Sequence, residues 1–174
     1  MINLTQIDPM KLFGKLFRIV VLSALCIALM KCSSPSKDAN ADASQNDLPP
    51  LAVTTIAGKE LKLQELNGKV VLILFQTDCD HCQREATAIQ QNISAFKDYS
   101  LYFITTTAQQ EIETFANSYK LSGYENVHFC KTTGQAILEK FGPIDAPSIY
   151  IYSDQKIVKS FNGETPINEI LKFI

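Results

Sequence analysis

Residues 75–86 read FQTDCDHCQREA, with Asp80 and His81 between two cysteines, Cys79 and Cys82. Just upstream, Val70 to Phe75 is the run VVLILF, continuous in apolar and β-branched side chains and preceded by Gly68. Such a run suits a strand buried on both faces of a sheet. Downstream, Ala86, Ile89, Ile93 and Phe96 recur at helical spacing, which puts the cysteine pair at the N-terminus of an amphipathic helix. Three roles are open to such a pair: a redox dithiol, half of a metal site, or two structural thiols. A strand before it and an amphipathic helix after it favour the dithiol. Zinc sites also use CxxC, but usually need two further ligands at compatible spacing.

The rest of the body alternates between extended and helical patterns. LYFITTT, residues 101–107, reads as the next strand, and Ile112, Phe115, Ala116 and Tyr119 mark a second helix. NVHFC, residues 126–130, reads as a short strand, with a helix expected around Gln135 to Lys140. SIYIYS and KIVKSF, joined at Asp154 and Gln155, alternate as the arms of a β-hairpin do. The last helix is expected to have Thr165 as its cap, Pro166 at its first position, and Ile167, Ile170, Leu171 and Ile174 on one face. This order predicts an α/β domain with a central sheet over residues 51–174, enough chain for one well-buried core.

The chain has 174 residues, 46% of them hydrophobic, and a formal net charge of -2. One domain with appendages is the natural expectation. A nucleic-acid binder would need clustered Lys and Arg, and the basic residues here are scattered among acids.

The N-terminus has the composition of a targeting segment. Lys11, Lys15 and Arg18 precede the apolar run IVVLSALCIALM, residues 19–30. A membrane-spanning helix needs about 20 such residues, so the run reads as the core of a secretory signal over residues 1–32. Met10 opens MKLFGKLFR, a more conventional start than Met1. Cys32 follows the apolar run at once, and Leu29 to Cys32 resembles a bacterial lipoprotein signal, which implies lipidation of Cys32. Lys31 departs from that pattern, since a small residue normally stands there. Residues 33–50, SSPSKDANADASQNDLPP, have almost no apolar side chains and are expected to form a flexible linker.

The order of strand, CxxC helix, strand, helix, further segment, hairpin and final helix resembles the thioredoxin fold in its longer form, the TlpA-like (ResA-like) thiol-disulfide oxidoreductases. The resemblance covers Leu51 to Ile174. It rests on the cysteine pair at a strand-to-helix junction, the DAPS stretch before the hairpin, and an αβ-sized insertion between them. It implies a central mixed β-sheet flanked by helices. It also implies that Pro147 is the family's cis-proline, facing the cysteine pair, with the Ala146 backbone free to hydrogen-bond an extended substrate strand. Most members are reductants supplied with electrons by a membrane partner, so an extracytoplasmic, periplasmic location and protein disulfide or dithiol substrates are expected. No cofactor is expected beyond the Cys79–Cys82 disulfide itself.

A helix N-terminus offers unpaired N–H groups and a partial positive charge, both of which favour a thiolate. Cys79 is therefore the expected nucleophile, and Cys82, one turn in and more buried, the resolving thiol. His81 and Asp80 tune the pair in opposite senses: a protonated His81 stabilises the reduced form, and the Asp80 carboxylate opposes it. Glu85 lies where TlpA-like proteins carry an acidic residue. It is read either as a proton relay to Cys82 or as a first-turn carboxylate favoured by the helix dipole. Ile73 stands where cytosolic thioredoxins carry a buried Asp, so that proton route is absent. A peroxide reductase would need a Thr and an Arg around a single reactive cysteine, a pattern Arg84 does not supply. The alternative kept open is a redox-silent or metal-binding module of copper-delivery type. His128 and Cys130, which share one face of their strand, would then join the dithiol.

Overall fold

The computed structural model describes residues 46–174. The expectations of a signal over 1–32, a start at Met10, a lipid on Cys32 and a linker from 33 to 45 lie outside the described residues.

A short hairpin opens the body. Strands β1 (Ala52–Thr55) and β2 (Glu60–Lys62) pair antiparallel across a turn at Gly58, whose φ of 81° suits glycine. The run that anchors the sequence reading becomes β3 (Lys69–Leu74), followed by helix α1 (Asp80–Gln91). Then come β4 (Ser100–Thr105), α2 (Gln109–Ser118), β5 (Val127–Lys131) and α3 (Gly134–Phe141). The hairpin β6 (Ser148–Ser153) and β7 (Lys156–Asn162) and a single-turn helix α4 (Ile167–Ile170) complete the chain. The sheet is mixed, in the order β2-β1-β5-β4-β3-β6-β7. Strands β3, β4 and β5 run parallel, and β6 returns antiparallel beside β3.

Because successive side chains of a strand point to opposite faces, β3 feeds two cores. Val71, Ile73 and Phe75 pack with Cys82, Ala86 and Ile89 of α1 and with Ile112 and Phe115 of α2. Val70, Leu72 and Leu74 pack on the other face with Leu51, Leu63, Cys130 and Ile137. Both faces of this strand are sealed, which is why its sequence is a continuous apolar run rather than an alternating one.

The expected hairpin forms, and its turn at Asp154 and Gln155 has positive φ at both residues (48° and 67°), the geometry that matches the twist of a two-residue connection. Its alternation breaks in β7. Ile151 faces Lys159 while Tyr152 faces Ile157, so Val158 is an extra residue in a bulge, and Ile157 and Val158 are both exposed.

Two expectations need correction. The linker does not run to Pro50, because the chain is docked from Asn46 onward. Leu48 is buried in the second core, the Asp47 N–H donates to the Gln155 carbonyl at 2.8 Å, and Asp47 Oδ2 accepts the Ile157 N–H at 3.0 Å. One leucine and one aspartate that satisfies an edge-strand N–H are enough to hold a segment whose composition is otherwise that of a tether. The C-terminal helix is also shorter than expected. Pro166 is its cap residue rather than its first helical one, and the Thr165 hydroxyl donates back to the Gly163 carbonyl instead of capping. The chain continues as a 3-10 turn, Leu171–Phe173, with Ile170 buried against the first core.

Candidate active site

Cys79 occupies the N-cap position of α1, with extended backbone angles (φ -92°, ψ 115°), and its sulfur accepts the Cys82 N–H at 3.3 Å. That bond satisfies one of the unpaired donors of the first helical turn. The loop before it is held by side chains: Gln83 Nε2 donates to the Thr77 carbonyl at 3.1 Å, and Gln76 Nε2 reaches the Thr106 hydroxyl at 3.4 Å. Cys79 is half-buried and Cys82 is buried. Burial first, then the hydrogen bond with Cys79, push the Cys82 thiol up to about 12. At neutral pH Cys82 therefore keeps its proton, and the sulfur that meets solvent is that of Cys79.

The Ala146–Pro147 peptide bond is cis, and the Cys79 thiol points at the Ala146 carbonyl across 3.6 Å. The loop is pinned from behind by Asn162, the last residue of β7. Its Oδ1 accepts the Asp145 N–H at 3.0 Å and the hydroxyl of the buried Ser148 at 2.8 Å. Sequence reasoning singled out Ala146 and Pro147 but not Asn162, whose partners lie 14 and 17 residues away.

Glu85 is buried, one turn beyond Cys82 on the inward face of α1. Its Oε2 accepts the Thr165 N–H at 2.9 Å, while Oε1 has no hydrogen-bond partner. Burial lifts its carboxyl to about 6, against the opposing effect of the Thr165 N–H and with a further push from Glu164. Its burial sets it apart from Asp80, the exposed acid of the first turn.

His81 and Asp80 are both exposed. The imidazole turns to Glu164, in the loop after β7, with Nδ1 2.6 Å from Oε2. Arg84 grips the same carboxylate through Nε (2.7 Å) and Nη2 (2.6 Å), and Nη2 also lies 2.7 Å from His81 Nδ1. Arg84 and then His81 hold the Glu164 carboxyl down at about 2. Glu164 carries no motif that would have pointed to it in the sequence.

A cleft of about 780 Å³ opens between the loop that precedes Cys79 and α2, walled by Gln76, Asp78 and Gln83 on one side and by Glu111, Phe115 and Tyr119 on the other; Cys79 does not line it.

His128 and Cys130 are not part of this site. Cys130 belongs to the core on the far side of the sheet from Cys82, and His128 stacks on Tyr102 there at 4.8 Å. The alternation of β5 that puts the two on one face puts them on the face away from the dithiol. Burial alone pushes the Cys130 thiol up to about 12.

A dithiol split between a half-buried and a fully buried sulfur, at the start of a helix and opposite a cis-proline loop on a mixed sheet, defines a thioredoxin-like thiol-disulfide oxidoreductase. Within that class the chain belongs to the AhpC/TSA family, whose pattern it matches over residues 44–161. It is 24% identical over 167 residues to the thiol-disulfide oxidoreductase ResA of Bacillus thuringiensis subsp. konkukian, covering 91% of this chain and 94% of that one. Its fold is similar to that of a secreted Mycobacterium tuberculosis disulfide oxidoreductase homologous to E. coli DsbE (TM-score 0.61, 19% identity, 71% of this chain and 92% of that one). Copper-bound ScoI of Arabidopsis thaliana shares the fold as well (TM-score 0.58, 14% identity, 72% and 94%).

Proposed function

We propose that this oxidoreductase works outside the cytoplasm as a reductant of protein disulfides, with Cys79 as nucleophile and Cys82 as resolving thiol. The observation that carries the reading is the asymmetry of the pair. Cys79 is accessible and bonded to the helix N-terminus, while Cys82 is buried with its thiol at about 12. Cys79 attacks one sulfur of a substrate disulfide. A bond from Cys79 to that sulfur forms, the substrate S–S bond breaks, and the second substrate sulfur leaves as a thiolate that takes up a proton. Cys82 then gives up its proton and attacks the Cys79 sulfur, releasing the first substrate sulfur and leaving the Cys79–Cys82 disulfide. Two electrons have passed to the substrate, and a membrane-bound dithiol donor returns them. No bound cofactor is needed, since the two sulfurs carry both electrons.

Glu85 suits the proton step. With its carboxyl at about 6 it is mostly ionised at neutral pH, on the same helix face as Cys82 and with one oxygen unengaged. The half-buried Ala146 backbone lies beside Cys79, where an extended substrate strand could pair with it. The signal-like segment and Cys32 support export and a lipid anchor, which labelling with a radioactive fatty acid tests directly.

Equilibration of the protein with glutathione tests the direction. A potential near about -270 mV, thioredoxin's value, supports a reductant, and one near about -120 mV, DsbA's, overturns it in favour of an oxidant. Turnover should vanish in Cys79→Ser. A parent chain without turnover whose partner binding is unchanged in that variant would instead support a redox-silent module.

A further inference from the structure

The geometry points to Glu164 as a positioning residue that sets the redox potential of the dithiol, holding it low by engaging the positive charge of Arg84 and the ring of His81 on the helix that begins at Cys79. This assignment rests on the oxidoreductase reading above and concerns the regulation of the same site.

His81 Nδ1 meets one charged group from its own helix, Arg84, and one from the facing loop, Glu164. Arg84 senses Glu164, Asp80 and the Cys79 sulfur electrostatically, so the guanidinium links the carboxylate to the nucleophile. Both guanidinium contacts to Glu164 are short, a bidentate arrangement that fixes the plane of the side chain. His81 Nδ1 is within hydrogen-bond distance of a donor, Arg84 Nη2, and of an acceptor, Glu164 Oε2. One ring nitrogen cannot donate to the carboxylate and accept from the guanidinium at once. The carboxylate thus competes with the guanidinium for this ring nitrogen, inside the CxxC motif.

The redox consequence follows from charge. Reduction of the Cys79–Cys82 disulfide by two glutathione thiols breaks that S–S bond and forms the one in glutathione disulfide. Two electrons pass to the protein sulfurs; one proton goes to Cys82, and where Cys79 is left as a thiolate the other goes to solvent. Negative charge develops on Cys79 only in the reduced form, so a nearby carboxylate disfavours that form and a nearby guanidinium favours it. Glu164 offsets part of the help that the Arg84 guanidinium would otherwise give.

The test is the glutathione equilibrium of the full chain, measured for the parent, Glu164→Gln, Glu164→Asp and Arg84→Gln. Glu164→Gln should favour the reduced dithiol about threefold, or about 14 mV at ~30 mV per tenfold. Arg84→Gln should move the equilibrium the other way, and Glu164→Asp should stay with the parent. Both shifts should shrink at about 1 M salt, since these groups are partly exposed. A role confined to holding the loop would not reverse sign with the charge removed. If Glu164→Gln and Arg84→Gln leave the parent's midpoint unmoved, or move it in the same direction, the assignment is overturned while the oxidoreductase reading stands. A parent chain that forms no Cys79–Cys82 disulfide at any glutathione ratio overturns both.

Discussion

Glu85 and the backbone of Thr165 meet at 2.9 Å through only one carboxylate oxygen, and the other oxygen is buried with no partner. An ionised carboxylate in that position is poorly solvated, which is why its folded-state value rises to about 6 from 4.5. The folded protein then holds this proton more tightly than the unfolded chain does. Below pH 4.5 the group is neutral in both states. As pH rises through about 6 the folded state loses about 2 kcal/mol relative to a chain with a neutral side chain there. Glu85→Gln should accordingly be more stable than the parent by about that amount near neutral pH, with the difference vanishing near pH 4. Urea unfolding at the two pH values measures it, and a gain independent of pH would falsify the assignment.

Thiol reactivity should separate the three cysteines of the described residues. Cys79 is partly accessible, whereas Cys82 and Cys130 are buried and their thiols are pushed up to about 12. Iodoacetamide at neutral pH should label Cys79 alone in the folded, reduced protein, and all three in urea. Peptide mass mapping reads the result. Labelling of Cys82 as fast as Cys79 would contradict the division of roles.

Phe75, the first residue of the quoted stretch, joins the two halves of the core that support α1. Its ring lies 4.7 Å from Phe115, 5.7 Å from Phe103 and 6.2 Å from Phe129. Phe75→Ala should cost about 3–5 kcal/mol, and Phe75→Leu much less. Denaturant midpoints at unchanged slope would show it.

Asn162→Ala should loosen the Ala146–Pro147 loop. Asn162 Oδ1 is the acceptor for the Asp145 N–H and one of two for the Ser148 hydroxyl, the other being the Asp145 carbonyl at 2.7 Å. A loss of about 1–2 kcal/mol is expected, since the two hydrogen bonds to Oδ1 and the one from Nδ2 to Asp145 Oδ2 go together. Substrate KM should rise more than kcat falls, because the loop lies beside the sulfur rather than reacting. Steady-state kinetics with a protein disulfide substrate would sink the idea if only kcat changed.

The sheet was legible in the sequence wherever burial writes a strong pattern. β3 is apolar throughout because both its faces are covered, and α1 shows its inward stripe through Cys82, Ala86 and Ile89. β1 and β2 were not foreseen, since strands of four and three residues are too short for a period to declare itself. α4 was expected from its apolar face, but its length was not, because its four residues continue as a 3-10 turn. At the site, local spacing was enough to place Cys79, Cys82 and Glu85 along one helix. Glu164 and Asn162 reach it from the far end of β7, through contacts 80 and 17 residues apart in the chain. Nothing in the composition of an exposed Gly-Glu-Thr-Pro loop marks one of its side chains as the partner of a CxxC histidine.

The sheet also keeps Cys130 away from the reacting sulfurs, since that thiol sits in the core on the other face. In a Cys82→Ser variant, a substrate captured on Cys79 therefore meets no second internal thiol among the described residues that could release it. The covalent adduct should survive purification, which turns the buried third cysteine from a bystander into the reason that clients of this protein can be fished out intact and identified.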